Sequence, residues 1–433
     1  MRNSFVYVAG MTLLAATVVV PAQAQDQTQV GPGNARSAAI SAQSPIVQSA
    51  MAYIQSQARK IHDGNLMNQT LDGILNPNTC IQHRANLKLA DKQVIIQNLL
   101  AAGLVDETDG ASIPGGLMAG VFPGVLDDGT SCPHLPQPFN AAPGSAFGGH
   151  HSYPGGLPVH ESNNDTADVN LAREYREVYG HPGTSDGLPT INAGDISEGT
   201  LDPANDLFIN QDIILGAPLW HDWAKPIVFQ WNANGSEYAE MNFGDSSASK
   251  TLGAGKTGGH HILSIAESMK RGFSPAFVIT QASAHSAPTS GNEYKVVNWL
   301  RAAAIIDRID PVAAGFLRVD STGAYRLPVL RKLGQIDLNA NGQTNLLVEY
   351  QLHNLSDADF TESGAAVAMA QVILTKLAPQ FGYDPADVAN YNTKYRNVVL
   401  SNIPAERLTI LFSGGGQDAV FEQLQALHKR GVI

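Results

Sequence analysis

The chain is poor in cysteine and in basic charge, and past its first two dozen residues no apolar run is long enough to cross a bilayer. Cys80 and Cys132 are the only cysteines among 433 residues. Neither belongs to a Cys-x-x-Cys pattern, which excludes thiol redox catalysis and a structural zinc knot; in an exported protein the two suit a disulfide. Lys and Arg number 27 against 39 Asp and Glu, a net charge of −12. A nucleic-acid polymer, which needs a basic face, is therefore not an expected partner. A small phosphorylated or anionic substrate remains compatible, because a metal site can supply positive charge locally.

Several signatures are incomplete. Gly253-Ala-Gly255-Lys256-Thr257 has the look of a phosphate loop, but the first glycine should fall at Lys250. It reads instead as a flexible loop from which Lys256 could meet an anion. Asp337-Leu-Asn339-Ala-Asn341-Gly342 opens like a calcium loop, yet Val348 occupies the closing position and Glu349 comes one place late. It reads as a polar turn. No Gly-x-Ser-x-Gly elbow occurs in a strand–turn–helix setting, so Ser286 beside His285 is not read as a nucleophile.

Arg2, the apolar run Phe5 to Val20 and Ala22-Gln23-Ala24 have the form of a secretory signal over residues 1–24, implying a periplasmic or extracellular protein. Residues 25–44, rich in Gln, Ser, Gly and Ala, read as a flexible leader. Residues 45–149 form an N-terminal region. It begins with helical spacing at Ile46, Ala50, Tyr53 and Ile54, repeated at Val94, Ile95, Leu99 and Leu100. It ends in an irregular Gly- and Pro-rich cover over 106–150. The core, 150–330, holds expected helices at 156–180, 204–225, 259–271, 274–284 and 292–310, bounded by Gly and Pro breaks. The C-terminal region, 331–433, holds helices at 361–379, 385–398, 404–412 and 416–430. Strand-like alternation is confined to 315–319 with 324–328, around Ser321-Thr322-Gly323, and to 345–351. The fold class is mainly α, and Trp220, Trp223, Trp231 and Trp299 are expected in the core rather than at a substrate platform.

What the chain does have is a series of ligand-type residues in or beside helices: His160, His221-Asp222, His260-His261, His285 and Asp307. Helical proteins build metal sites from inward-facing side chains of several helices, and imidazole with carboxylate suits transition metals rather than calcium. Adjacent side chains on a helix do not face each other. The 221–222 doublet therefore converges on one ion only if His221 reaches in from one side and Asp222 from the other.

These residues carry a resemblance to the HD-domain superfamily of metal-dependent phosphohydrolases. His151-Ser-Tyr-Pro-Gly-Gly-Leu-Pro-Val-His160 resembles the family's first-histidine segment, and Leu219-Trp-His221-Asp222-Trp-Ala-Lys225 resembles its His-Asp doublet with a trailing lysine. Gly259-His260-His261-Ile-Leu-Ser264 and Ala284-His285 are similar to the segments bringing further histidines, although family members often carry paired histidines where this chain has Ala284-His285. Arg301 to Asp310, with Asp307, looks like the closing helix. The resemblance covers about 150–310. It implies one ion held by His160, His221, Asp222 and Asp307. It implies a second, bridged by Asp222, held by His285 with His260 or His261. His260 is preferred because Ser264 follows it by one turn. Mn, Fe, Zn, Ni and Mg are not distinguished. Lys225 and Asp222 are the expected catalytic residues, with Lys225 near the substrate or leaving group, and His151 is the expected phosphate contact. The implied activity is hydrolysis of a phosphate mono- or diester. The same ordered ligands also occur in diiron oxygenases of the superfamily, and a non-catalytic metal-binding or interaction protein is a further alternative.

Overall fold

The computed structural model describes residues 26–179, 209–245, 255–288, 291–328, 330 and 347–433, and the fold is mainly α. The signal-like segment and the calcium-like turn at 337–342 lie outside the described residues, as do Gly253 and Ala254 of the phosphate-loop look-alike. Among the described residues no helix is long and apolar enough to cross a membrane.

The N-terminal helices are α1 (Asn34–Ala42), α2 (Pro45–Ala58), α3 (Gly64–Leu75), α4 (Leu89–Ala101) and α5 (Gly116–Val121). The centre follows with α6 (Gly156–Tyr179), α7 (Gln211–Trp220), α8 (Lys225–Val228), α9 (Gly259–Lys270), α10 (Pro275–Ala282) and α11 (Glu293–Asp307). The C-terminal helices are α12 (Val348–Ser356), α13 (Phe360–Leu377), α14 (Val388–Tyr391), α15 (Asn397–Asn402) and α16 (Ala405–Lys429). Start signals are chemical. Ser44, Asp63, Asn210 and Ser274 each offer a side-chain oxygen to a free amide of the first turn of α2, α3, α7 and α10. Pro45 and Pro275 occupy first-turn positions that need no amide.

Helix α6 packs on α2, α7 and α12, while α9 packs on α11 and α10 on α7. Their shared core includes Trp220, Trp223 and Trp299, all buried, as is Trp231. Each indole N–H has an acceptor: Thr70 Oγ1 for Trp220, and the carbonyls of Gly73, Gly255 and Ala141 for Trp223, Trp299 and Trp231. The tryptophans are thus core residues, as expected. A second apolar cluster joins α13, α15 and α16 through Val367, Leu374, Leu400 and Leu424, and Tyr153 from the central region is inserted into it.

The hairpin expected around 321–323 forms as two short antiparallel strands, with Val319 paired to Tyr325. Of the strand expected at 345–351, residues 348–351 are instead the start of α12, and 345–346 lie outside the described residues. Val348, Leu352 and Ser356, three of its buried residues, recur every four positions, so the run fits a helical face once it has α6 to pack on. The expected leader at 25–44 contains α1. Its buried residues are Asn34, Ser37 and Ser41, so polarity concealed a packed face. Asn34 is held by Pro136 O and Gln230, and Ser37 donates to Ala141 O. The irregular 106–150 segment contains α5, and Cys80 is bonded to Cys132. The two C-terminal helices expected at 404–412 and 416–430 form the two parts of α16, which meet at a kink where Gly416 has non-helical backbone (φ +66°).

Candidate metal centre

His160 is the fifth residue of α6. The turn before it depends on Gly155 and Gly156. Gly155 has φ +82°, and a Cβ on Gly156 would lie 1.9 Å from His151 O. This tight return brings His150 and His151 back onto the helix start, with ring centroids 4.7 and 5.3 Å from that of His160.

The geometric difficulty of the His221-Asp222 doublet is removed by its location. It lies not within a helix but in the turn between α7 and α8, where His221 closes α7. Pro218 O lies 2.8 Å from His221 Nδ1. A carbonyl only accepts, so the imidazole proton resides on Nδ1 and the Nε2 lone pair points the other way. There it meets Asp222 Oδ2 at 3.4 Å and Asp357 Oδ1 at 3.4 Å. Two carboxylates facing a lone pair in a buried site repel it unless a proton or a cation lies between.

The same arrangement recurs on the neighbouring rings. His160 presents Nδ1 to Asp359 Oδ1 at 2.9 Å and Nε2 to Asp357 at 3.2 Å and Asp222 at 3.3 Å. His260 pairs Nδ1 with Glu240 and presents Nε2 to Asp222 Oδ1 at 3.0 Å. Glu240 also accepts the backbone N–H of His260 at 2.9 Å, capping the start of α9 with a negative charge. His285 has Nδ1 engaged by Thr257 Oγ1 at 2.7 Å. An outer nitrogen tied to an acceptor and an inner one left for an ion is how metal-binding histidines are oriented. His221 Nε2, His260 Nε2 and Asp222 Oδ1 are buried without a hydrogen-bond partner, while Asp222 Oδ2 takes the Lys225 ammonium. Such orphaned atoms fit a cation.

Among the described residues, four groups capable of holding an ion share these residues: His160 with His221 and Asp222, Asp222 with His260 and His285, His160 with Asp357 and Asp359, and His160 with His150 and His151. Asp222 is thus common to two of them. Burial works against charge here, but Asp222 and Asp357 are both held ionised, far below the usual carboxylate range, first by His221 and then by Lys225 or His160. Burial works against the charged ring of His260 too, but Glu240 first and then Asp222 outweigh it and raise His260 to about 9. Behind the cluster, burial lifts Glu161 to about 8 against the pull of His221.

The structure brings His160, His221, Asp222, His260, His285 and Lys225 together. Lys225 is buried and pairs with Asp222. Asp307 does not join them. Helices α9 and α11 lie side by side with Trp299 against His261 and Asp307 against Lys270, whose ammonium donates to Asp307 O. Asp307 thus sits roughly 12 Å further along, eight residues at 1.5 Å each. The carboxylate in the cluster is Asp357, at the junction of α12 and α13, steadied by the Asn164 amide at 3.2 Å. His261 is also outside the groups. Its Nε2 faces Ala282 O at 3.1 Å and its ring stacks on His285 at 4.0 Å. Ser264, one turn from His260, accepts the N–H of Ala224 and so fixes the turn after the doublet. His151, the expected phosphate contact, is buried and turned to Ser363, with Asp359 and Glu406 beyond. Burial first, then His160, lowers it to about 3. Its φ of +48° sends adjacent rings to different sides, and His150 is the one that lines the cavity. Lys256 is paired with Asp109.

A cavity of 510 Å³ opens onto the cluster. Its floor includes His160, Asp222, Lys225 and His260, and its rim includes Asn354, Leu355 and Phe360. The residues missed from sequence, Asp357, Asp359, His150 and Glu240, have in common that no helical periodicity marks them. A scan against family models finds no match to the chain, and searches of curated proteins and of solved structures find none.

Proposed function

We propose that this protein is a metal-dependent phosphohydrolase of the HD type, acting on phosphate mono- or diesters. The reading rests on one observation above the others: buried imidazole Nε2 atoms of His160, His221 and His260 converge on Asp222 and Asp357 while each Nδ1 is engaged from outside. His160, His221, Asp222 and Asp357 would hold one divalent ion, and His260 and His285 a second that shares Asp222. Ions bound there would lower the pKa of water and neutralise phosphoryl charge.

The chain's own residues supply the remainder. Lys225, beside Asp222 on the cavity floor, offers an ammonium to a phosphoryl or leaving-group oxygen. His150 is kept neutral by burial and by the nearby Lys225, so at neutral pH its ring can donate or accept one hydrogen bond. Glu240 and Asp359 hold the outer nitrogens of His260 and His160, fixing ring orientation. The signal-like N-terminus is consistent with action outside the cytoplasm, and the acidic chain with a small substrate.

The test is phosphate release from a panel of mono- and diesters by metal-loaded protein, with His221→Ala and Asp222→Ala as controls. Loss of both metal and turnover in the variants is expected; full activity in either would overturn the assignment. The same six side chains would also serve a diiron oxygenase, so Mössbauer and EPR spectra belong to the test. A mixed-valent iron pair that consumes oxygen, with no phosphate release, would replace hydrolysis by that chemistry.

A further inference from the structure

Large hydrophobic side chains exposed singly need no explanation. Leu355 and Phe360 are a different case. They are 50% and 49% exposed and border the same cavity, on either side of the turn that carries Asp357 and Asp359. Ala284 and Ala358 leave room between them. The Asn354 amide donates to Ala284 O at 2.6 Å, fastening α12 to the segment that carries His285. His150 links this rim to the floor, its ring centroid 4.7 Å from His160 and 6.3 Å from Phe360. One end of the cavity is thus charged and ligand-rich, and the other apolar. At 510 Å³ it has the size of a small-molecule site.

We infer that the substrate's leaving group carries an apolar, preferably aromatic, face that seats on Phe360 and Leu355 while its phosphoryl group lies over Asp222 and Lys225. This rests on the phosphohydrolase reading and narrows it. A flat ring can stack on Phe360 beside His150, and Leu355 covers its edge. Polar alcohols of the same size leave both side chains wet.

Aryl esters are intrinsically more reactive, so the test compares leaving alcohols of similar acidity: 2-phenylethyl phosphate against 2-hydroxyethyl phosphate, on the full metal-loaded chain. We expect kcat/KM to favour the phenylethyl ester by about tenfold or more. The Phe360→Ala and Leu355→Ala double variant should bring the ratio close to one at unchanged metal content. Equal turnover of both esters by the unaltered protein, or a preference that survives the double variant, overturns the inference. Calorimetry with 2-phenylethylphosphonate and methylphosphonate separates the two readings. Tighter binding of the phenylethyl analogue that depends on Phe360, without hydrolysis of any ester, supports this rim and removes the phosphohydrolase. Hydrolysis of esters with equal binding of the two phosphonates does the reverse. Phe360→Leu, which keeps an apolar surface but no ring, should retain part of the preference.

Discussion

Replacing Asp357 by Asn and Asp307 by Asn distinguishes the two aspartates that could close the ligand set. Asp357 Oδ1 lies 3.2 Å from His160 Nε2 and 3.4 Å from His221 Nε2, inside the cluster. An amide there is a poor ligand and removes one negative charge from a buried site that His160 and His221 face. Losing a residue that only orients a ligand costs roughly 10–100-fold in metal affinity, so losing a direct ligand should cost at least about 100-fold. That corresponds to about 2.7 kcal/mol. Asp307 sits at the far end of α11, buried with both side-chain oxygens unpartnered, and burial raises its pKa well above the usual range. Asn in its place removes no cluster contact and should leave metal binding unchanged. The assay is competition for metal against a chromophoric chelator, with far-UV circular dichroism to verify the fold. Metal lost from the Asp307 variant and retained by the Asp357 variant would refute the placement of α12 and α13 at the site.

Three further outcomes follow from named contacts. Glu240→Gln weakens the hold on His260 Nδ1 and should reduce affinity for the second ion roughly 10–100-fold while sparing the first, as read by stepwise metal titration. The Cys80–Cys132 bond closes a 52-residue separation. Replacing both cysteines by Ser should cost about 4 kcal/mol by loop entropy, measured by denaturant unfolding. Glu237 is buried with both oxygens unpartnered, and burial raises it to about 8 against the pull of Arg396. Its folded pKa exceeds the unfolded value, so from about pH 4.5 to 8 the unfolded chain binds fewer protons and stability falls as pH rises. Glu237→Gln should therefore raise Tm at pH 8 and change it little near pH 4.5.

The helices were legible where helical spacing and flanking Gly or Pro breaks agreed, as at α6, α9 and α11. Residues 348–351 are helical rather than extended because a short apolar run does not reveal its period until a partner surface selects one. The site was half legible. His160, His221, Asp222, His260 and His285 stand in recognisable local strings, and their order along the chain suggested a common centre. Asp357 stands in Leu-Ser-Asp-Ala-Asp, which looks like any helix end. Only the packing of α12 on α6 and α7 turns it inward. Asp307 was expected because Arg301 to Asp310 looks like the family's closing helix; that helix does pack on α9, but Asp307 lies at the wrong end of it. The C-terminal region, without an assigned role from sequence, supplies Asp357, Asp359 and the apolar rim.

Metal content of the native protein, set beside that of Asp222→Ala, tests the central claim most directly. Asp222 faces the Nε2 atoms of three histidines and is shared by two of the ligand groups. Two divalent transition ions per chain are expected in the native protein and fewer than one in the variant, with the fold retained. A native protein that purifies and refolds without metal, or a variant that keeps both ions, would contradict a metal centre built around this residue.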